Sequence, residues 1–375
     1  MANTLNLGNG NWAAKEGSLL AYNNENGNFK PLPFDFTRAS SATRVNSQGL
    51  IEVVERNQPR VDYSSGEGAL LLEPSRSNLV TYSEDFSNWT SGSTYTTQNY
   101  AISPDGTQNA SRLLFTGLAQ NIYINTSATG DVVGSLYVKG TSGETIQLFV
   151  GGGETQFTLN GNWQRIVVEK TSSTNGFINI NTNGGATARD LLIWGAQLEQ
   201  GSYATSYIPT QGAAVTRVDE TLVQDNMSTS LFNKDGMAFY LEVEALANDD
   251  IIKAITISDG SNSNRFVFQF TDNNEINVFS ISTLGFTGLS IVTAAADITQ
   301  TNKIAASFNS SNGYLYVNGT QINVDAINNV IGNNLNKISF GNHNLAQRIF
   351  YGKIMDFKTY NTALTDEELA ALTTI

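Results

Sequence analysis

The sequence contains no cysteine and only one histidine, His343, among its 375 residues. Without thiols the chain forms no disulfide and offers no thiolate for catalysis, so the composition gives no support for classical secretion. A single histidine disfavours a multi-histidine metal site, and it disfavours a Ser-His-Asp triad unless His343 itself is the base. Nucleophilic and zinc-dependent chemistry are therefore poor starting hypotheses.

Basic residues are also scarce: 21 Lys and Arg stand against 34 Asp and Glu, which gives a formal net charge of −13. Nucleic-acid binding depends on cations that neutralise phosphates, and an anionic membrane repels an acidic chain. No run approaches the ~20 apolar residues that cross a bilayer. Residues 1–12 lack the basic and apolar regions of a signal peptide. We expect no nucleic-acid partner and no membrane insertion.

The residues that are abundant favour β-structure. Gly contributes 33 residues, and only 15% of the chain is charged while 40% is hydrophobic. This mixture is typical of many short strands joined by tight turns. The length predicts two or three domains. We predict an all-β protein in which a loop-rich section (residues 1–76) is followed by two tandem β-sandwich, or jelly-roll, domains (77–217 and 218–375).

The boundary between the predicted sandwiches lies in residues 191–217. Leu192, Trp194, Ala196 and Leu198 alternate with the residues between them, which is the period of a strand. Gly201, Pro209 and Gly212 then interrupt regular structure within a few residues. We interpret the first part as a closing strand and the second as a connector.

The first section, residues 1–76, combines spaced charges with short extended pieces. Arginines and acids alternate along it, which indicates either internal ion pairs of a small fold or contacts with other subunits. The strand candidates are residues 34–36, 50–54 and 70–72.

Alternating apolar residues also predict strands throughout the rest of the chain. Near the end, Thr365 and Glu368 form a capping-box pattern, which predicts a short helix that begins at Asp366. Asn312-Gly313 and Asn318-Gly319 are typical of two-residue hairpin turns. The main strand candidates are residues 112–115, 121–124, 135–138, 145–150, 164–168, 177–181, 264–270, 275–281, 303–308, 314–317 and 320–324.

Several ordered motifs resemble the carbohydrate-binding-module-like domain of tailed-phage fibre and other virion proteins. Residues 36–79 are similar to the segment that precedes that domain. The resemblance implies a role at a virion surface, and we expect the first section to serve oligomerisation or virion attachment. The motifs are residues 77–89, Pro104-Asp105-Gly106-Thr107, residues 134–139, Asn162-Trp163-Gln164-Arg165, Trp194-Gly195-Ala196-Gln197-Leu198-Glu199, Ser206-Tyr207-Ile208-Pro209-Thr210 and Thr216-Arg217.

The last section resembles the concanavalin-type, laminin-G-like sandwich over about residues 236–372. The resemblance rests on the order of the Asn-Gly hairpin, residues 337–341 and residues 351–369. In that family a final strand returns to the sheet and a short helix caps it. The same fold serves lectins, adhesion modules, glycosidases and structural domains, so it implies a fold rather than a function.

Two sets of residues are candidates for glycan binding. Tyr95 and Tyr100 lie in a polar run where their rings could stack on sugars. The loop Asn342-His343-Asn344, with Arg348, offers planar hydrogen-bonding groups. The alternative interpretation for this loop is an ordinary exposed turn. Strand tryptophans such as Trp163 and Trp194 are better explained as core residues.

Oxygen-bearing residues in the segment 259–264 are candidates for Ca²⁺ binding, with Asp259 and Asn262 foremost. An ordinary turn requires the same residue types. Glycoside hydrolysis needs two facing carboxyl groups. Glu242 and Glu244 do not form the run of three acids that concanavalin-like hydrolases usually carry. We therefore predict that the protein is not an enzyme.

These observations together lead to one main functional hypothesis. The protein is expected to be a phage virion component, such as a head fibre, capsid decoration or tail-associated adhesin, that binds cell-surface glycans and other virion proteins. A homo-oligomer, with a trimer favoured by the resemblance, would raise avidity through several weak sites. The alternatives are a polysaccharide depolymerase and a purely structural capsid cement.

Overall fold

We describe the protein from a computed structural model. The structure describes residues 4–23, 30–92, 94–117, 120–181, 188–282, 291–293, 296–309, 311–326, 334–341 and 348–375. The chain forms two compact units. Unit 1 comprises Met1–Ala39, Arg56–Pro74 and Asp219–Ile375, and unit 2 comprises Ser40–Glu55 and Ser75–Val218.

The described regular structure is almost entirely β, which confirms the predicted all-β jelly-roll class. None of the helices in the described residues is long and apolar enough to cross a membrane. The elements in chain order are β1 (Leu5–Gly8), β2 (Ala13–Lys15), β3 (Ser18–Asn23), β4 (Lys30–Thr37), β5 (Ala42–Val45), β6 (Ile51–Val54), β7 (Arg60–Asp62), β8 (Ala69–Leu72), β9 (Arg76–Asn78), β10 (Thr90–Gly92), β11 (Tyr95–Ala101), β12 (Ala110–Phe115), β13 (Asn121–Thr126), β14 (Gly130–Lys139), β15 (Thr145–Val150), β16 (Gly153–Thr158), β17 (Gln164–Ser173), β18 (Gly176–Asn181), β19 (Arg189–Gln200), β20 (Val215–Arg217), β21 (Thr221–Gln224), β22 (Gly236–Ala245), β23 (Lys253–Ser258), β24 (Arg265–Phe270), β25 (Ile276–Ile281), β26 (Ile291–Thr293), β27 (Asn302–Asn309), β28 (Asn312–Val317), β29 (Thr320–Ala326), β30 (Lys337–Ser339), β31 (Gly352–Tyr360) and α1 (Asp366–Thr373).

Unit 2 is a sandwich of two five-stranded antiparallel sheets. Their strand orders are β10-β13-β18-β15-β16 and β11-β12-β19-β14-β17. Period-2 alternation explains how each sheet contributes one face to the core. In β18, for example, Ile178 and Ile180 are fully buried, while the alternate residues Phe177, Asn179 and Asn181 are partly exposed.

A second, smaller cluster lies on the outer face of one unit 2 sheet. Trp194 packs there against Tyr207, with ring centroids 4.5 Å apart, and Ala110 and Ile51 complete the buried set. Ile51 belongs to the β5–β6 hairpin, which comes from the first section of the sequence. Trp194 is only 1% exposed, so it is a core residue.

Unit 1 is built from one continuous path of paired strands whose two halves share a core. The path runs β29-β28-β27-β22-β31-β1-β3-β4-β21-β30-β23-β24-β25-β26, and β8 pairs with another part of β31. Phe239 of β22 and Phe266 of β24 meet in that core with ring centroids 5.1 Å apart. Contact between distant parts of the path makes the unit a sandwich.

Residues 1–76 are divided between the two units rather than forming one section. Strands β1, β3, β4, β7 and β8 pair within unit 1, whereas the β5–β6 hairpin belongs to unit 2. Short strands carry no local signal for which distant edge they join, which is why the sequence suggested a separate segment. The attachment role of these residues stays a prediction.

Two arginines of the first section, Arg38 and Arg60, form buried ion pairs in unit 1, one of which, Arg60–Glu73, lies within that section. Glu220 accepts hydrogen bonds from Arg38 (Nη1 to Oε1, 2.6 Å) and from Arg60 (Nε to Oε1, 2.8 Å). Arg60 also pairs with Glu73 at 2.8 Å, and the four side chains are at most 2% exposed. Burial alone would lower the pKa of Arg60, but the charges of Glu220 and Glu73 outweigh it and raise that pKa.

Local turn and capping signals are confirmed with one exception. Asn318 and Gly319 have φ angles of 50° and 79° between β28 and β29, as a type I′ turn requires. Helix α1 begins at Asp366 with the capping box in place. The predicted turn at Asn312-Gly313 is wrong, because both residues lie within β28. The side-chain oxygen of Asn309 accepts hydrogen bonds from the backbone N–H groups of Ser311 and Asn312 at the start of that strand.

Candidate functional site

Unit 2 contains a polar cavity of about 560 Å³. Its walls carry carboxylate, carboxamide and hydroxyl groups, and no Lys or Arg is among the described residues that line it. Such side chains hydrogen-bond to hydroxyl-rich ligands. The lining residues are Glu84, Asp85, Ser87, Gln98, Asn99, Asn109, Pro209, Thr210 and Gln211.

One wall of the cavity is a short 3₁₀ turn, Phe86–Asn88, whose N-cap is Asp85. The carboxylate of Asp85 accepts hydrogen bonds from the Ser87 backbone N–H (3.1 Å) and the Ser87 hydroxyl (2.6 Å). Phe86 is buried and packs on Trp89, with ring centroids 4.9 Å apart. This anchor holds Glu84, Asp85 and Ser87 at the cavity.

The opposite wall comes from an irregularity in the edge strand β11. Between the pairs Thr97–Arg112 and Ala101–Ala110, β11 contains two residues more than β12. Asn99 lies within this stretch with φ +51°, a backbone conformation that asparagine tolerates better than most residues. The extra residues are Gln98 and its neighbours, so the bulge places them at the cavity.

A hydrogen-bond network ties these walls together. The Tyr207 hydroxyl donates to Glu84 Oε1 (2.8 Å), and Asn109 Nδ2 donates to Glu84 Oε2 (3.1 Å) and Asp105 Oδ2 (3.0 Å). Burial, with the nearby charge of Asp105, raises the pKa of Glu84 despite these hydrogen bonds. Burial acts on Asp105 in the same direction, but hydrogen bonds from Ser103, Thr107 and Asn109 leave its pKa below the ordinary value.

Two amide atoms of the lining residues have no hydrogen-bond partner among the described residues. They are Gln98 Nε2, a donor, and Asn109 Oδ1, an acceptor. The other atom of each amide is engaged: Gln98 Oε1 accepts from the Ser111 hydroxyl at 2.9 Å, and Asn109 Nδ2 donates to the two carboxylates. A shielded polar atom without a partner costs about 1–3 kcal/mol, which a ligand hydroxyl that reaches it would recover.

The predicted tyrosines lie on the strand that lines this cavity. Tyr95 is 66% and Tyr100 51% exposed, both on β11, and Tyr100 directly follows the lining residue Asn99. The Arg112 guanidinium lies 5.1 Å from the Tyr100 ring centroid. Arg112 also forms a two-pronged ion pair with Asp190, at 2.7 and 2.6 Å.

Only Arg348 of the second predicted glycan set lies among the described residues. Asn342, His343 and Asn344 lie outside the described residues. Arg348 belongs to unit 1 and donates from Nη1 to Gln269 Oε1 at 3.4 Å. Burial, and to a smaller extent the positive charge of Arg348, lower the pKa of Arg265. Glycan binding by this set stays a prediction.

The predicted calcium loop has its oxygens engaged by groups of the protein itself. Asp259 Oδ1 accepts from the Ser261 N–H (2.8 Å), and Asn262 Oδ1 accepts from Arg265 Nη1 (2.7 Å). Burial would raise the pKa of Asp259, but hydrogen bonds from Ser261 and Asn264 outweigh it and lower that pKa. Within the described residues no group of three or more His, Cys, Asp or Glu side chains is arranged to hold a metal ion. Calcium binding stays a prediction.

A second group of acids, in unit 1, joins neighbouring strands. Glu242 of β22 lies directly opposite Asp356 of β31, and the Lys358 ammonium contacts Asp356. Burial and the charge of Glu242 raise the pKa of Asp356 to about 6, although Lys358 acts in the opposite direction. Tyr240 donates a hydrogen bond to Glu242 at 3.1 Å, so this group forms an internal polar cluster.

The cavity residues were not predicted as a site, although several of them lie in the motifs named above. Glu84 and Asp85 lie in the motif 77–89, and Pro209 and Thr210 lie in the motif Ser206-Tyr207-Ile208-Pro209-Thr210. Asp105, from a third motif, shares Asn109 with Glu84. Three motifs used only for their resemblance therefore converge in space, but their spacing in sequence gives no sign of it.

One protein-family model matches part of the chain. The model described as Concanavalin A-like lectin/glucanases superfamily, of the laminin G type, matches residues 226–370. This confirms the predicted concanavalin-type, laminin-G-like domain in the last section. No curated protein matches the chain.

Several solved structures are similar over part of the chain. The CBM40 of the Ruminococcus gnavus IT-sialidase, bound to α2,3 sialyllactose, is 16% identical, covers 41% of this chain and 92% of its own, and has a TM-score of 0.35. The NanB sialidase of Streptococcus pneumoniae is 16% identical over 40% of this chain and 26% of its own (TM-score 0.35). Domain 4 of the Geobacillus stearothermophilus arabinanase AbnA, with arabinotriose, is 15% identical over 47% and 84% (TM-score 0.35). At these scores the likenesses carry no argument about the site.

Proposed function

We propose that the protein is a non-catalytic glycan-binding protein and that the cavity of unit 2 is its binding site. The observation that carries this proposal is the convergence of amide, carboxylate and hydroxyl groups around about 560 Å³ next to the exposed Tyr100. A pyranose presents hydroxyls to such groups and an apolar face to a tyrosine ring. The concanavalin-type match at residues 226–370 lies in unit 1 and is to a superfamily of both lectins and glucanases, so it does not locate the site.

The amides of Asn99 and Gln211 provide the sharpest test, because both residues are exposed and line the cavity. The full chain is applied to a glycan array, and the affinity for the best binder is measured by calorimetry. Asn99→Gly keeps the left-handed backbone and removes the amide, and Gln211→Ala removes the other amide. Each change is expected to weaken binding about fivefold, equivalent to about 1 kcal/mol for one hydrogen bond.

Asn226→Gly is the matched control. Asn226 is exposed, has φ +57° and lies in unit 1, so its replacement changes the same chemical group outside the cavity. Unchanged affinity in this control, together with unchanged melting temperatures in all variants, assigns the loss to the cavity. A chain that binds no glycan, or variants that bind as tightly as the parent, would refute the proposal.

The biological setting that we propose follows the phage resemblance of residues 36–217. The protein is placed on a virion surface, is made in the host cytoplasm, and contacts other virion proteins and host glycans as a homo-oligomer, with a trimer favoured. Native mass spectrometry of the purified protein tests the oligomer, and antibody labelling of particles tests the location. Release of new reducing ends from capsular polysaccharide would instead support the depolymerase alternative.

A further inference from the structure

We infer that the cavity of unit 2 selects uncharged glycans and discriminates against sugars that carry a carboxylate. This inference rests on the proposed function of the cavity and specifies its ligand class. Two carboxylates, Glu84 and Asp85, line the cavity, and a third, Asp105, is joined to Glu84 through the Asn109 amide. An anionic sugar would meet this negative charge, and no Lys or Arg among the described lining residues neutralises it.

The carboxylates of this cavity are hydrogen-bonded by uncharged groups. Glu84 accepts from Tyr207 and Asn109, and Asp85 accepts from the Ser87 hydroxyl (2.6 Å) and Asn88 Nδ2 (2.8 Å). Asp105 accepts from Ser103, Thr107 and Asn109. Neutral donors satisfy the oxygens but leave the net negative charge in place, so the local potential stays unfavourable for an anion.

The cation near the exposed tyrosine does not compensate for this charge. Arg112 contacts the Tyr100 ring, but its guanidinium is held by both oxygens of Asp190, at 2.7 and 2.6 Å. A sugar that extends from the cavity over Tyr100 therefore meets a neutralised pair. The formal charge of −13 on the whole chain adds to the same bias.

Amide and hydroxyl groups remain to bind the ligand. The exposed amides of Asn99 and Gln211 line the cavity, and an amide can donate to one sugar hydroxyl through its N–H and accept from another through its oxygen. Neutral hexopyranoses supply several such hydroxyls. A uronic acid of the same ring replaces one CH₂OH group by COO⁻ and changes little else, which makes it the appropriate comparison.

The experiment uses the full chain and three matched pairs of oligosaccharides: galactan and galacturonan, glucan and glucuronan, and mannan and mannuronan. Within a pair that binds, the neutral member is expected to bind about tenfold more tightly at low salt. This factor corresponds to the repulsion between one cavity carboxylate and one uronate carboxylate at a dielectric constant between those of water and the protein interior. Methyl esterification of the uronate should restore the affinity. Raising the salt to about 0.5 M should narrow the difference, because screening weakens charge repulsion.

Glu84→Gln removes one charge with little change of shape and is expected to reduce the preference for the neutral member severalfold. Glu154→Gln is the control, since Glu154 is an exposed acid of β16 outside the cavity and should leave the preference unchanged. Uronates that bind as tightly as their neutral partners would overturn the inference alone. An equal effect of both substitutions would also overturn it, because the overall charge would then decide selectivity. If no member binds, the same comparison is made between neutral and carboxylate-bearing glycans of the array, and a chain that binds no glycan on the array would refute the proposed function instead.

Discussion

At the scale of single residues, Glu220 is a fully buried carboxylate whose charge must be compensated by its neighbours in unit 1. It is 0% exposed, binds both Arg38 and Arg60, and accepts the Glu73 N–H at 2.9 Å. A carboxylate surrounded in this way compensates two buried cations. Removal of one partner from a buried ionic group leaves uncompensated charge, which costs more than the pair itself contributes.

Glu220→Gln is therefore expected to lower the free energy of unfolding by about 3–5 kcal/mol. Urea denaturation followed by tryptophan fluorescence measures the change. Glu52→Gln is the control: the Arg44–Glu52 pair is 27% and 37% exposed and should contribute less than about 1 kcal/mol. Similar losses from the two substitutions would contradict the role assigned to burial.

Asp356 gives a prediction about pH dependence. Its pKa is raised to about 6, mainly by burial, from an ordinary value of 3.8. The protonated form therefore stabilises the fold at low pH, and this contribution is lost as the pH rises from about 4 through 6. Relative to the parent, Asp356→Asn should gain up to about 3 kcal/mol of unfolding free energy over that interval. Denaturation curves at pH 4, 5.5 and 7 test this.

Asp190→Asn serves as a control of opposite sign. The hydrogen bond and charge of Arg112 lower the pKa of Asp190, so its carboxylate stabilises the fold at neutral pH and loses this effect as the pH falls. The Asp190 variant should therefore lose stability relative to the parent as the pH rises through the ordinary value of 3.8, so its denaturation curves are extended below pH 4. The same pH trend in both variants would show that the assigned causes are wrong.

At the scale of elements, the N-terminus of α1 is a local feature that the sequence predicted in full. Thr365 Oγ1 accepts from the Glu368 N–H at 3.3 Å, and Glu368 Oε2 accepts from the Thr365 N–H at 2.9 Å. Such a cap depends only on residues four positions apart at most. The buried Leu369 then packs the helix on unit 1.

Thr365→Ala is expected to lower the free energy of unfolding by about 1 kcal/mol, whereas Thr365→Ser should retain most of the cap. Thermal denaturation measures both, with the exposed Thr362→Ala as a control that should change stability by less than about 0.5 kcal/mol. Equal melting temperatures for the alanine and serine variants would remove the cap as a stabilising feature.

Elements whose form depends on distant partners were predicted less well. The polar run that contains Tyr95 and Tyr100 gives no sign of a bulge, because the two extra residues of β11 are defined only against β12. The Asn312-Gly313 pair likewise resembles a turn, yet Gly313 pairs with Phe308 inside the sheet. Turn-forming residues favour certain positions for a hairpin turn, but the register of the paired strands determines where the turn lies.

At the scale of the whole molecule, the described residues among the first 76 form parts of the two folded units. Leu5 of β1, Phe34 of β4 and Leu70 of β8 are fully buried in unit 1. Burial of such side chains contributes about 1.5–3 kcal/mol each. Their loss cannot be offset by the remaining strands, which would expose unpaired edges.

Deletion of residues 1–76 is therefore expected to abolish cooperative unfolding of unit 1, and not only to detach a virion-binding segment. Differential scanning calorimetry and limited proteolysis of the shortened chain measure this outcome. A chain of residues 77–375 that melts like the parent would contradict it. Failure of the deleted chain to enter particles would then reflect misfolding, so charge substitutions on exposed residues test attachment better.

The sequence by itself determined the all-β class, the positions of about half of the described strands, the Asn318-Gly319 hairpin and the capped helix, because alternation, turn preference and capping act over a few residues. Only the tertiary structure decided that β1 pairs with β31, that Arg38, Arg60 and Glu73 surround Glu220, and that one cavity is lined by Glu84, Asp85, Ser87, Gln98, Asn99, Asn109, Pro209, Thr210 and Gln211. Those relations depend on which free strand edges and apolar faces bury one another, and this choice is settled by the whole chain at once.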